Sequence, residues 1–520
     1  MKVGPQALTT PRQSRGRAVL LLIVLLCSLA IFPRPARAFC GFYVAGSDAA
    51  LTNDATLVAL MRDGQRTILS MRNTYTGPPE DFALVVPVPV VLRESNVKVL
   101  PAEIFHRLDQ LTAPRLVEYW EQDPCRVIMP EAPPAGAVAY SFADDALEEK
   151  SAARHQVKIE ARFAVGEYDV VVLSAQDSSG LDAWLRENRY KIPAGAEPYL
   201  RPYVQMGMKF FVARVNVAKV KFERVGNGPE RAVLSPLRFH YDSDDFFLPV
   251  RLGLINSSGK QDLIAIVLAR SGRYEIANYD NVAIPTNLDV ADRVRTQFGG
   301  FYASLFDRVV AQNPRAVVTE YAWEATSCDP CPTPPLDDTE LATLGADVLP
   351  EQGSGSGGFV VTRLHARYGK DTLGDDLHFR PARPITGGRE GSGTTAQQGE
   401  VNDFQARYII RHRWTRPVTC ASPHFGEWGG PPEGNDAHGS SVAAAVNLAF
   451  APRDVDVGSL ISGAVPDGLT LSRGSPVGPP RIPPAGGCAG CATAPGASQW
   501  AAAGTCLVGL LLALRRRPRH

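Results

Sequence analysis

Three common catalytic signatures are missing from the 520 residues: the zinc-protease pattern H-E-x-x-H, the nucleophile elbow G-x-S-x-G and the phosphate loop G-x-x-x-x-G-K-[ST]. Their absence removes the best-known routes to metalloprotease, serine-hydrolase and nucleotide chemistry, and leaves only less familiar enzymes open. A basic surplus is lacking too. The formal net charge is +0, yet Lys2, Arg12, Arg15, Arg17, Arg34 and Arg37 stand before any acid, and Arg515, Arg516, Arg517 and Arg519 close the chain. Between these ends 44 bases face 54 acids. A body that acidic has no electrostatic means of tracking a phosphate backbone, so a nucleic-acid partner is excluded. No internal repeat of fixed period occurs, which sets aside solenoids and propellers.

What is present supports real cores: 45% of residues are hydrophobic and 8% aromatic, in a chain long enough for several domains. The ends are specialised. Val19 to Phe32 is almost wholly apolar, and Ala36-Arg37-Ala38 gives the small-x-small pattern of a secretory signal cleaved after Ala38. Phe39 occupies the position where a lipidation motif at Cys40 needs a small residue, so Cys40 reads as a structural cysteine. At the other end an apolar stretch from Trp500 to Leu514 precedes the arginine cluster, short for the roughly 20 helical residues a bilayer needs. Arginines held on the cytoplasmic side would place everything before Trp500 outside.

Between the ends the signals are those of strands with a few helices. Thr56 to Met61 and Arg66 to Met71 alternate around Asp63-Gly64, and Gln156 to Phe163 and Tyr168 to Leu173 alternate around Gly166, so both read as hairpins. Asp81 to Leu92 predicts a buried strand that ends as an edge at Pro87 and Pro89. Helices are predicted after Pro101 (Ile104, Phe105, Leu108, Leu111), around Leu181, Trp184 and Leu185, over Phe298 to Val310, and over Asp337 to Gly345. Strands are predicted over Phe210 to Val220, Leu237 to Tyr241, Phe246 to Leu254, Leu263 to Ala269, Tyr274 to Ala277, Ala316 to Trp323, Phe359 to Tyr368, Asp376 to Phe379 and Phe404 to Trp414. Gly353 to Gly358 reads as a flexible link and Gly387 to Glu400 as a polar loop. The fold class is α+β, rich in antiparallel sheet with a few packed helices, flanked by a signal peptide and a C-terminal hydrophobic anchor. The organisation is a signal at 1–38, an ectodomain at 39–456 with subdomains near 39–325 and 326–456, a Pro/Gly/Ala/Ser-rich tether at 457–499 and an anchor at 500–520.

The chemistry concentrates on cysteine. Cys27 leaves with the signal and Cys506 lies in the apolar tail, so Cys40, Cys125, Cys328, Cys331 and Cys420 belong to the body and Cys488 and Cys491 to the tail. Outside the cytoplasm disulfides are the default. The preferred pairing joins Cys40 to Cys125 and one of Cys328 or Cys331 to Cys420, with a local Cys328–Cys331 bond as the alternative. Thiol–disulfide catalysis at Cys328-x-x-Cys331 would need the second cysteine in a first helical turn, which Pro332, Pro334 and Pro335 forbid. A zinc alternative combines Cys328, Cys331, Cys420 and His424 as a Cys₃His set. Asp242-Ser243-Asp244-Asp245 reads as a solvated turn rather than a calcium loop, because Phe246 and Phe247 follow where glycine and oxygen ligands are needed. His424, Glu427, Glu433, Asp436 and His438 crowd one Gly/Pro-rich loop, as compatible with a polar surface as with a metal. His365, His378 and His412 sit in strand-like segments and read as structural.

Two resemblances add to this. Gly486-Gly487-Cys488-Ala489-Gly490-Cys491, the apolar stretch and the arginines resemble the sorting tail of myxobacterial secreted proteins, which implies a processing protease acting on the tail and retention at the cell surface. A plain transmembrane anchor is the other reading of the same residues. Cys40-Gly41-Phe42-Tyr43-Val44, Cys328-Asp329-Pro330-Cys331 with Pro335-Leu336 and Leu344-Gly345, and Thr362-Arg363-Leu364-His365-Ala366-Arg367-Tyr368 together resemble the uncharacterised bacterial family catalogued as domain of unknown function 2330, over roughly Cys40 to Ala451. That family implies an extracytoplasmic setting and no activity. The expectation is therefore an exported, membrane- or surface-anchored envelope protein with a structural or binding role and no cofactor. The alternative is an extracytoplasmic metal- or thiol-dependent enzyme centred on the CxxC motif.

Overall fold

The computed structural model describes residues 42–44, 56–72, 83–125, 157–188, 190, 192, 195–224, 230–256, 261–350, 358–369, 372–431, 442–445 and 451–477. All of them fall in the compact unit Met1–Pro480. The segments predicted as signal peptide and anchor, Cys40, Cys488, Cys491 and most of the predicted Gly353 to Gly358 link lie outside the described residues.

Two sheets stacked between helices make the core. The larger runs, in spatial order, from Gln397–Gln398 through Ile385–Gly387, Asp403–Gln405, Ala316–Glu324, Val360–Tyr368, Gln261–Ala269, Thr56–Asp63, Arg66–Met71 and Leu237–Asp242 to Val97–Val99. The smaller is a five-stranded sheet of Phe42–Val44, Ala83–Val88, Lys209–Val215, Tyr168–Ala175 and Val157–Val165. Period-two alternation assigns each strand's two faces to different layers. In Thr56–Asp63, Val58 and Leu60 turn to the space between the sheets, where they join Leu84, Val86, Val172 and Phe211. Leu57, Ala59 and Met61 turn the other way, onto Ile104, Phe105, Leu108 and Leu111 of the helix Glu103–Thr112. Each such buried side chain contributes about 1.5–3 kcal/mol. The helices Ser178–Glu187 and Glu197–Gln205 cover the outer face of the smaller sheet through Leu181, Leu185, Leu200 and Tyr203. The 15-residue helix Phe298–Gln312 packs Phe301, Leu305 and Phe306 onto the far end of the larger sheet.

The predicted α+β class holds, with five α-helices among the described residues, and both hairpins form, with Gly64 and Gly166 at φ 52° and 53° as their turns require. Among the described residues Phe42–Val44 pairs with Ala83 to Val85 only, and on the other side Pro87 and Val88 lie opposite Phe210 and Lys209. The helix over Asp338–Leu344 starts at the Asp337–Glu340 capping box and stops at Gly345, whose φ of 139° and close approach to Ile68 both exclude a side chain.

Several expectations need correction. The smaller sheet is wholly antiparallel, but the larger is mixed: Gln261–Ala269 pairs parallel with Thr56–Asp63, and Asp280–Ala283 parallel with Ala316–Glu324. Phe246 to Leu254 is not one strand but the pair Phe247–Leu248 followed by a 3-10 turn at Arg251–Asn256, and the strand begun at Lys209 stops at Val215. The helix Glu197–Gln205 was hidden by Pro198 and Pro202, one tolerated in its first turn and the other in its body. Within Gly387 to Glu400 the chain forms the short strand Gln397–Gln398. Ala316–Glu324 and Val360–Tyr368 are neighbours in one sheet, so the larger sheet runs on across the boundary drawn near 325. Residues 457 to 472 belong to the folded body, not to the tether expected to start there. Val457, Leu460 and Ile461 are buried against the helix Phe298–Gln312, and Leu469–Ser472 pairs with Asp280–Ala283. Of the large apolar residues from Val457 to Val477 the fold buries Val457, Leu460 and Ile461 and leaves Leu469 and Val477 exposed.

Candidate functional site

The strand Ala316–Glu324 delivers the chain to the Cys328-Asp329-Pro330-Cys331 loop, as the sequence predicts. The loop is held from three sides. Arg115, fully buried, donates to Pro330 O at 2.7 Å and to Leu111 O at 2.7 Å. Gln405 donates to Asp329 O, and Arg107 donates to Thr333 Oγ1, Pro334 O and Glu340. Cys328 bonds Cys331, with Cα atoms 5.0 Å apart. The next helix starts seven residues beyond Cys331, at Asp338, so neither cysteine lies in its first turn.

The expected cysteine pairing is overturned. Cys125, not Cys328 or Cys331, bonds Cys420, with Cα atoms 5.5 Å apart across 295 positions. Pairing of the strand Arg407–His412 alongside Arg115–Glu121 carries the two segments to the same end of a sheet, which sequence spacing could not reveal. The Cys₃His zinc set falls with it, since Cys328, Cys331 and Cys420 are all disulfide sulfurs and none is a thiolate ligand. His424 is exposed, tied by its backbone N–H to Pro124 O at 2.9 Å. Of the loop acids and histidines named with it, Glu433, Asp436 and His438 lie outside the described residues.

Behind the loop lies a buried charge array that the sequence reading did not single out. Strand alternation puts Arg363, His365 and Arg367 on one face of Val360–Tyr368. Glu320 comes from the neighbouring strand, Asp262 from the strand on the other side, Asp109 from the helix Glu103–Thr112, and Tyr302 and Asp307 from Phe298–Gln312. Glu320, 0% exposed, accepts from Tyr302 at 2.6 Å and from Arg363 Nε at 2.7 Å, and lies 2.6 Å from His365 Nδ1. Arg363 also donates to Asp109 at 2.7 Å and Thr112 at 3.1 Å. His365 Nε2 is 3.4 Å from Asp262, and the imidazole stacks on Phe306 with ring centroids 3.8 Å apart. Arg367 and Arg453 bind both Asp262 and Asp307, which brings the array to the partly exposed surface at Arg453.

Burial alone would raise the Glu320 pKa, but the charges of His365 and Arg363 and the Tyr302 hydroxyl pull it down to about 2. Burial would likewise lower His365, yet Glu320 and Asp262 hold it up at about 9. Arg115 is lowered to about 10, by burial first, with Arg407 and Arg363 adding repulsion. The array is thus a set of mutually paired ionised groups, buried at Glu320, Arg363 and His365 and reaching the surface at Arg453, with Arg363 Nη2 and His365 Nε2 left without a hydrogen-bond partner. Tyr302, Glu320 and His365 form a buried hydrogen-bonded chain of acid–base groups. The sequence signal was available: a glutamate inside the apolar run Ala316 to Trp323, and three cations at alternate positions of a strand.

A second cluster lies at the rim. One ligand atom each of Glu118, Asp292 and His412 falls within 4.8 Å of the others. A cation already occupies their focus: Arg295 Nη2 donates to Glu118 at 2.5 Å and Asp292 at 2.8 Å and lies 3.3 Å from His412 Nε2. The donor set is met by a guanidinium, which fits poorly with a resident metal.

Comparison with known proteins gives one match. The model of a family described as an uncharacterised protein conserved in bacteria, DUF2330, matches residues 34–380. No curated protein and no solved structure matches the chain. The matched range holds the CxxC loop and the array's Asp109, Asp262, Glu320, Arg363 and His365, and stops short of Cys420 and of the Ala451 limit drawn from sequence. Among the described residues no helix is long and apolar enough to cross a membrane.

Proposed function

The chain belongs to the family of uncharacterised bacterial proteins described as DUF2330, and because that family brings no activity with it, we propose from the residues themselves that this is an exported protein, held at the membrane or cell surface, with a structural or binding role. The observation that carries this reading is the Cys125–Cys420 bond across 295 positions, a crosslink at home in an oxidising compartment and rare in the cytosol. The apolar Val19 to Phe32 stretch with Ala36-Arg37-Ala38 supports export. The Trp500 to Leu514 stretch with its arginines supports retention, with the membrane as one partner and a processing protease at Cys488 and Cys491 as another.

The competing reading, a thiol-dependent enzyme at Cys328–Cys331, has one observation in its favour, the exposure of Cys331. Against it stand the prolines after the motif and the delayed helix, which put neither cysteine in the first turn of a helix where a thiolate would be stabilised. One experiment separates them: cell fractionation followed by non-reducing peptide mass mapping of the full chain, with zinc measured on the same sample. The expected result is envelope-associated protein, Cys125 bonded to Cys420, Cys328 bonded to Cys331, and no stoichiometric zinc. Cytosolic protein with free thiols would overturn the proposal.

A further inference from the structure

The turn before the strand Tyr274–Ile276, the end of the strand Leu377–Pro381, the hairpin of Ile385–Gly387 with Gln397–Gln398, and the strand Leu469–Ser472 meet around a cleft of about 280 Å³. That is near the lower end of ligand pockets, about 300–1,000 Å³. Its lining is divided by chemistry. Pro381, Ala382, Ile385 and Leu471 make an apolar wall, and Arg273, Glu275, Arg383, Gln398 and Ser472 supply polar groups.

The charges there do not cancel. Glu275, 5% exposed, is fully engaged: Arg380 donates at 3.0 Å, Ser472 at 2.8 Å and Arg273 Nη2 at 3.3 Å. One carboxylate therefore pairs with two guanidinium groups, Arg273 and Arg380, and Arg383 brings a further cation to the cleft lining. Arg273 is 3% exposed, its Nε donates to Arg383 O, and its Nη1 has no hydrogen-bond partner. A buried cationic donor left unpaired is costly, and an anionic acceptor removes that cost. Arg383 is exposed and makes no ion pair among the described residues. We propose that this cleft binds a small organic carboxylate with an apolar body, its carboxylate taken by Arg273 and Arg383 and its hydrocarbon by Pro381, Ile385 and Leu471.

The inference deepens the binding role proposed above by naming a ligand class. Most of the lining lies beyond residue 380, so the site belongs to this chain rather than to the matched family segment. The test is calorimetric titration of the full chain with benzoate, with inorganic phosphate and with the cation choline. Benzoate should bind one to one and be displaced by butyrate, choline should not bind, and Arg383→Ala should weaken benzoate by about tenfold to a hundredfold, the effect of one charge-assisted hydrogen bond. Because Arg383 is exposed, that variant should keep the wild-type melting temperature. Absence of saturable benzoate binding, an unchanged affinity in Arg383→Ala, or phosphate binding tighter than benzoate would each overturn the assignment. Such a failure leaves the exported reading standing, whereas free Cys125 and Cys420 in cells would overturn that reading and leave the cleft untouched.

Discussion

The buried array and the rim cluster use the same parts. In each, a glutamate bridges an arginine and a histidine: Glu320 joins Arg363 and His365 at 2.7 and 2.6 Å, and Glu118 joins Arg295 and His412 at 2.5 and 2.8 Å. The difference is water. Arg363 is 0% exposed and Arg295 is 45% exposed. In the array a charge that loses its partner has nothing to replace it, while at the rim water and salt take over. Identical residue types therefore set fold stability in one place and little more than local geometry in the other.

The largest expected effect comes from breaking the buried member of the pair. Glu320→Gln leaves Arg363 and His365 facing a neutral amide, and should cost about 3–5 kcal/mol in urea unfolding, the usual penalty for orphaning a buried charge. That is a large share of a typical stability of about 5–15 kcal/mol. A loss below about 1 kcal/mol would erase the distinction between the two clusters.

Acidity sharpens the comparison without mutation. His365 is held at about 9 against an ordinary 6.5, so its contribution is fully present below pH 6.5 and is lost as pH rises through 9. Glu320 is held at about 2 against an ordinary 4.5, so its contribution is present above pH 4.5 and is lost as pH falls through 2. Together they predict greatest stability between about pH 4.5 and 6.5, with roughly 2–3 kcal/mol lost by pH 9 through the histidine alone. The check is the melting temperature from pH 4 to 10 in the wild type and in His365→Asn. A wild-type profile that stays flat between pH 6.5 and 9 would show that His365 is neutral in the folded protein.

These two clusters also mark where the sequence could and could not be read. Hairpins at Asp63-Gly64 and Gly166 and the helices after Pro101 and Asp337 were legible because local turn chemistry, capping and apolar spacing all agree there. The array was half legible. Arg363, His365 and Arg367 alternate within one strand, but their partners Asp109, Asp262 and Glu320 arrive from up to 254 positions away. The same distance defeated the cysteine pairing: the parallel contact of Arg407–His412 with Arg115–Glu121 brings Cys420 to Cys125, and parallel neighbours leave no turn signal in the sequence. The cleft was invisible for a related reason, being assembled from four segments of which the last lay in a stretch too poor in large apolar residues to look folded.

The smallest expected effect is at the rim. Arg295 donates to both Glu118 and Asp292, and Glu118 is held below the usual carboxylate range: burial opposes this, but the Arg295 and His412 hydrogen bonds outweigh it. On paper this is as well connected as the buried array. Its energy should nevertheless be small, because the half-exposed guanidinium keeps most of its hydration in the folded state and ordering two side chains offsets part of the attraction. His412 keeps its stacking on Trp120, with centroids 4.7 Å apart, whether or not Glu118 is charged. A double-mutant cycle of Glu118→Gln with Arg295→Met should therefore give a coupling of about 0.2–1 kcal/mol in low salt, and less at 1 M salt where screening acts over about 3 Å. The parallel cycle of Glu320 with Arg363 should be several times larger and insensitive to salt, since no counter-ion reaches it. A rim coupling that matched the buried one and survived high salt would mean that water does not enter the Glu118 site, and burial would then no longer explain the difference between the two.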